Sequence, residues 1–237
     1  MVRRGKLYLI PNIIASGTTE EVILPQIKNI IKATQYYLVE DIRSARRFIS
    51  SLKVVDSIEV LHFRILNKDT RPAELNELMK PLLEGYDVGV LSESGCPGVA
   101  DPGALAVAFA HQSNIKVVPL VGPSSLFLAL MASGLNGQRF AFHGYLPVSK
   151  TDREKTIALL EKESRKRALT QIFIETPYRN NALFESLINV LSANTALCVA
   201  VDITGTSETI VTRPVAEWKM RKTEWPKLPA VFLFLAC

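Results

Sequence analysis

Along the first 120 residues, short apolar runs rich in β-branched and aromatic side chains alternate with stretches of helical periodicity. No other feature limits the possible folds as strongly. Strands are expected at Lys6–Ile10, Tyr36–Val39, 58–63, 88–92 and 116–120, with helices at 22–31, 45–52, 73–83 and 105–112 between them. In the 73–83 stretch Leu75, Leu78, Met79 and Leu82 recur three or four residues apart and so share one helix face, while Pro72 pre-sets the first turn. Strands that alternate with helices need crossover connections, which build a parallel sheet with helices on both faces.

The pattern changes in the second half. Helices at 152–163 and 181–191 still alternate with strands at 171–175 and 196–202, and Ser124 and Ser125 precede a further helical run at 126–132. After Gly205, however, strand-like runs at 208–212 and Ala230–Leu235 are separated only by a short segment, 215–221. This predicts a mixed sheet. The expected fold class is therefore α/β with two α/β domains, residues 1–120 carrying the parallel sheet and 121–237 the mixed one. Residues 119–125, punctuated by Pro119, Gly122 and Pro123, are the linker.

With 48% hydrophobic and 22% charged residues the chain can build sizeable cores, and no apolar run approaches the length of a membrane span. The run 7–10 behind the basic first residues is too short for a secretion signal, so a cytoplasmic protein without membrane attachment is expected. Cys96, Cys198 and Cys237 are an odd, scattered set, as are His62, His111 and His143; metal-free chemistry without structural disulfides is expected. The formal charge of +5 gathers in Arg43/Arg46/Arg47, Lys162/Arg165/Lys166/Arg167 and Lys219/Arg221/Lys222. Each cluster alone reads as a solvated helix end, but three together point towards a nucleic-acid partner.

Four segments follow strands and carry polar chemistry. Ser92-Glu93-Ser94-Gly95-Cys96-Pro97-Gly98-Val99-Ala100-Asp101-Pro102-Gly103 is a dozen residues long, with three glycines and two acids, more than a plain turn uses. Val121-Gly122-Pro123-Ser124-Ser125 offers hydroxyls at a helix start, which either cap that helix or bind a polar molecule. Glu40-Asp41-Ile42-Arg43 sets two carboxylates and a guanidinium at a strand end, suited to orienting a hydroxyl or to a self-contained salt-bridge network. Glu175-Thr176-Pro177-Tyr178-Arg179 supplies an acid, a ring and a cation. In open α/β sheets ligands bind beyond the carboxyl ends of strands, where such loops lie.

In order and spacing these segments resemble the ribosomal RNA small-subunit methyltransferase I family, ribose 2′-O-methylating enzymes of the tetrapyrrole methylase superfamily. Glu40-Asp41-Ile42-Arg43 is similar to that family's EDTR motif, the 92–103 loop to SDAGTPxxSDPG, and 121–125 to PGPSA. Ser133-Gly134-Leu135 through Phe140, Phe142 and Gly144-Tyr145-Leu146-Pro147 is similar to SGLPxxxFxFxGFLP, and 175–179 to ESPHR. The resemblance spans essentially the whole chain. It implies two α/β domains with S-adenosylmethionine held in the cleft between them, a ribosomal RNA substrate and a homodimer. By position it implies a cofactor pocket drawn from Pro11, Glu93, Gly95, Val99, Asp101, Ser124 and Ser125, closed near Thr176, with Glu40, Asp41 and Arg43 facing the acceptor. The first loop departs from the family: where GTPIGN is usual, this chain has Leu9-Ile10-Pro11-Asn12-Ile13-Ile14, so bulk replaces glycine beside the expected site.

A sulfonium donor arrives already activated, so alignment of the acceptor oxygen supplies most of the catalysis, and Asp41 or Glu40 is the candidate base, oriented by Arg43. Three alternatives accompany this reading: methylation of a tetrapyrrole or another small molecule, an inactive RNA-binding relative, and a nicotinamide enzyme. The last lacks any GxGxxG after its first strand.

Overall fold

The computed structural model describes residues 4–236. The chain divides into two compact units, Met1–Ser124 and Ser125–Cys237, each with its own sheet and cores.

In the first unit β1 (Lys6–Ile10) leads through α1 (Thr19–Val22) and α2 (Pro25–Ala33) to β2 (Tyr36–Val39). α3 (Ile42–Ser51) and a 3-10 turn (Ile58–Val60) precede β3 (His62–Ile65). α4 (Pro72–Leu78) and α5 (Lys80–Leu83) follow, then β4 (Val88–Leu91), α6 (Gly103–Gln112) and β5 (Lys116–Pro119). The five strands form one all-parallel sheet in the order β3-β2-β4-β1-β5. Alternation along each strand serves two cores. Tyr8, Ile10, Tyr37, Val39 and Leu91 pack with Ile27 and Ile31 of α2 and Phe48 and Ile49 of α3. Leu7, Leu38, Val88 and Val90 pack with Met79, Leu82 of α5 and Ala106, Ala110 of α6. Each fully buried aliphatic side chain of this kind contributes about 1.5–3 kcal/mol. Gly89 is the gap in this pattern, because a Cβ there would lie 2.6 Å from Ile10 Cδ1.

Several boundaries move for local reasons. The periodic stretch 22–31 is cut at Pro25, which starts α2 at its first turn and holds Leu24 extended before it. α3 starts three residues earlier than periodicity suggests, since Asp41 caps it. The expected strand 58–63 is a 3-10 turn followed by β3 two residues further on; Glu59 N donates to Ser57 Oγ and starts the turn.

In the second unit α7 (Ser125–Ser133) is followed by β6 (Phe140–Tyr145), α8 (Lys150–Arg167), β7 (Thr170–Glu175), α9 (Asn180–Val190), β8 (Ala196–Val201), β9 (Thr209–Pro214), α10 (Val215–Lys219) and β10 (Ala230–Leu235). The sheet order is β6-β7-β10-β8-β9, with β6 and β7 parallel and the other pairs antiparallel, a mixed sheet as expected. Phe173, Val199, Phe232 and Phe234 face α8, α9 and α10, where Trp218, Trp225 and Phe184 meet edge to face. Ile172, Cys198, Val231 and Leu233 face Ala129 and Leu130 of α7 on the other side.

The α8 basic cluster has a structural occupation. Arg165 and Arg167 pair with Glu161 and Glu163 one turn back, in the last turn of the helix, where cations complement its dipole.

Candidate active site

Strand order fixes where the first unit can hold a ligand. From β2 the chain leaves outward to the β3 edge, and from β4 it leaves the opposite way, to β5. Neighbouring strands whose connections diverge leave a crevice at their carboxyl ends. β2 ends at Val39, just before Glu40, and β4 at Leu91, just before Ser92-Glu93, so the acidic residues stand at that crevice. A cleft of about 520 Å³ opens there, lined by Glu40, Glu93, Ala100, Asp101, Pro102 and Leu105 together with Asn67, Lys68 and Asp69 from the turn after β3.

The loops around it are braced by backbone contacts that demand particular residues. The departure at the first loop has a role here: Asn12 is buried, its backbone N–H donates to Gly95 O (2.9 Å), and its side-chain amide donates to Ser92 O (3.0 Å) and Glu93 O (3.1 Å). Its Oδ1 accepts from Ile13 N (2.8 Å). One side chain thus ties the β1 loop to the β4 loop. The β5 loop joins them at Gly122, where a Cβ would lie 2.3 Å from Pro11 Cβ, and at Cys96, whose Sγ sits 3.3 Å from Pro123 O. Gly95 and Gly98 have φ of +66° and +80°, a region that glycine occupies freely. Ala100 is held at φ +56° on the cleft wall, a strained placement for a residue with a Cβ.

Electrostatics separates the carboxylates. Glu40 is pushed up to about 7, by burial first, then by the charge and hydrogen bond of Asp101 and the charge of Glu93. Asp101 accepts from Gly98 N (2.9 Å) and Gly103 N (2.6 Å) through Oδ1, so it also shapes the loop. Asp41 goes the other way. It caps α3, accepting from Ser44 N (2.7 Å) and Ser44 Oγ (2.8 Å), and these donors hold its carboxyl below the usual range. Ser44 Oγ also reaches Glu93 Oε1 at 3.3 Å. Arg43 is exposed on the first turn of α3, near Asp41.

No protein-family model matches the chain. Individual proteins do. The ribosomal RNA small subunit methyltransferase I of Vibrio cholerae is 30% identical over 211 residues, covering 89% of this chain and 69% of that protein. Its namesake from Escherichia coli is 29% identical over 214 residues, 90% of this chain and 71% of that one. The protein of the same name from Halalkalibacterium halodurans is 29% identical over 205 residues, 86% and 66% of the two chains. The chain belongs to the ribosomal RNA small subunit methyltransferase I family.

Within this family member, Pro11, Glu93, Gly95, Val99 and Asp101 fall on the braced loops of the first unit, with Glu40 at the same strand ends and Ser124 at the unit's last position. Ser125 opens α7 and Thr176 follows β7, both in the second unit. There Glu175 is occupied internally: its Oε1 accepts from Thr176 N (2.6 Å) and from Arg179 Nε (2.9 Å) and Nη2 (2.6 Å). Tyr178, 83% exposed, is the member of that segment left facing outward, with Lys227 Nζ 5.7 Å from its ring centre. Asn12 and the Asn67–Lys68–Asp69 turn had no signal in composition or periodicity; the departure from GTPIGN was the one local cue to Asn12.

Proposed function

We propose that this protein is an S-adenosylmethionine-dependent methyltransferase acting on a ribose 2′-hydroxyl of small-subunit ribosomal RNA. The observation that carries the chemistry is Glu40, a carboxyl titrating near neutrality, in the cleft at the β2/β4 switch point. Family membership supplies the reaction class.

The residues fit such a donor. A cleft of about 520 Å³ is of the size small-molecule sites use, and it carries an excess of carboxylates that suits a cationic ligand. Pro11, Glu93, Gly95, Val99, Asp101 and Ser124 hold the donor from the first unit's loops in this reading, and Ser125 and Thr176 contribute from the second. When bound, the donor supplies a methyl group already activated on sulfur.

The protein's own work is positional and protonic. The braced loops fix where backbone N–H and C=O groups point before any ligand arrives, which is how alignment lowers a barrier without covalent chemistry. Glu40 accepts the proton that the ribose hydroxyl loses as its oxygen bonds to carbon. A base with a value near 7 is available at working pH and strong enough to help. Asp41, held low and engaged as a helix cap, is the weaker of the two candidate bases; it keeps α3 and Arg43 in register with the cleft. The same reading takes the working form as a homodimer, and a monomer in sedimentation velocity would remove that part.

The test is transfer of labelled methyl from S-adenosylmethionine to small-subunit ribosomal RNA. A ribose-methylated site resists alkaline cleavage at the adjacent phosphodiester. Label found only in a tetrapyrrole or other small molecule, or in no acceptor, would overturn the reading.

A further inference from the structure

We infer that Lys68 is an anion subsite that receives a phosphodiester oxygen of the acceptor RNA next to the ribose presented to Glu40. This rests on the RNA-methylating reading above and deepens it.

The cleft is acidic on most sides. Glu40, Asp69, Glu93 and Asp101 all line it, and among the described residues Lys68 is the one cation in its lining. An RNA acceptor cannot bring its 2′-hydroxyl in alone, because that hydroxyl's neighbour along the strand is a phosphodiester. Without a counter-charge the carboxylates would repel it. Lys68 has no ion-pair partner among the described residues, despite the acids sharing its cleft. It is a cation held in reserve.

Its placement is built. Asn67 N donates to Thr70 Oγ1 (2.9 Å), Asp69 N donates to Asn67 Oδ1 (3.0 Å) and Thr70 N donates to Asn67 O (3.1 Å), closing a turn with Lys68 as its second residue. Such Asx-type bonds fix the backbone without any further element. The turn is rooted at buried Leu66, whose N–H donates to Val39 O at 2.9 Å. Val39 immediately precedes Glu40. The backbone that carries the cation is therefore bonded directly to the backbone that carries the base, so the spacing between phosphate and hydroxyl sites is set by the sheet. A lysine acts here as a point charge on a flexible stem, tolerant of the approach angle.

A carboxylate of the cofactor offers the same chemistry, so the experiment must separate the two anions. Full-length wild type, Lys68→Gln and Lys68→Arg are compared in methyl transfer to small-subunit ribosomal RNA, with Lys32→Gln as a charge control outside the cleft. Expected for Lys68→Gln is about a tenfold rise in KM for RNA, with cofactor affinity by calorimetry unchanged and the melting temperature as in wild type. The slope of log affinity against log salt should fall by about 0.7, the signature of one lost single-strand phosphate contact. Lys68→Arg should restore both, and Lys32→Gln should leave both alone. RNA constants and salt slope equal to wild type in Lys68→Gln would overturn the inference; so would loss of cofactor affinity with RNA binding intact, which would give the subsite to the cofactor. Failure of wild type to methylate RNA at all would instead strike the underlying function, and is seen before any variant is made.

Discussion

Glu40 is the residue whose environment most distinguishes it from its neighbours. Burial and the charges of Asp101 and Glu93 raise it from an ordinary carboxylate to about 7, so the folded protein holds a proton there that the unfolded chain releases near pH 4.5. The stability contribution of that proton is full below pH 4.5 and is lost as pH rises through about 7, because above it the fold must carry the extra charge. Glu40→Gln should therefore leave stability near pH 4 almost unchanged and raise it above pH 8, by about 1 kcal/mol once solvent screening of a partly exposed carboxyl is allowed for. Thermal melts at the two pH values read this directly. A variant that is less stable than wild type at pH 8 would contradict the assignment. Activity has the opposite sense: kcat/KM of wild type should climb with pH through about 7 and level off, a macroscopic value that belongs to the Glu40–Asp101 pair. In Glu40→Gln the climb should vanish and the rate fall by about 10²–10⁴-fold. Asp41 separates charge from capping, since asparagine caps as well as aspartate. Asp41→Asn should keep the melting temperature and most turnover, whereas Asp41→Ala should lower the melting temperature by freeing the α3 N-terminus. If Asp41→Asn abolishes turnover with cofactor affinity intact, the base is Asp41.

At the scale of elements, the carboxyl-end loops act together through a few backbone approaches. Asn12→Ala removes both amide bonds to Ser92 O and Glu93 O and should cost about 2–3 kcal/mol, the usual penalty of leaving buried carbonyls unpaired. Gly122→Ala should do comparable damage by a different route, since its Cβ would occupy the place of the Pro11 ring. Chemical denaturation checks both, and a loss under 0.5 kcal/mol for Asn12→Ala, a surface-like value, would show that the brace is dispensable. Why these braces were hidden from the sequence is clear from their separations: Asn12 meets residues 80 positions away, and no local pattern encodes that. Strands β1, β2, β4 and β10 were legible because two-sided burial leaves unbroken apolar runs. β3 was displaced since Ser57 starts a 3-10 turn inside an apolar run, and β6 went unread as a strand because its half-exposed faces and Gly144 break the alternation. The acidic and glycine-rich segments of the site were visible as motifs, but which acid titrates near 7 depends on Glu93 and Asp101, which the fold brings from the loop after β4 to Glu40 at the end of β2.

Over the whole molecule, two units with separate cores make ligand response a local matter that can be mapped. A donor that binds only the folded state stabilises it by RT ln(1 + [L]/Kd), about 2.7 kcal/mol at a hundredfold excess over Kd. That energy enters where the contacts are. If the loops of the first unit carry the donor, amide exchange on adding S-adenosylmethionine should slow first at residues 11–14, 92–103 and 119–124, with the β-strands of that sheet following through global stability. The roles given to Ser125 and Thr176 make a separate demand, because these residues begin α7 and follow β7 in the second unit. They require added protection at the α7 N-terminus and in the turn 176–179 at the same donor concentration. Protection confined to the first unit would strike Ser125 and Thr176 from the pocket while leaving Glu40 and its cleft in place. Protection that spares the three braced loops would be more serious, since the divergence of chain path at β2 and β4 would then no longer mark where the donor sits.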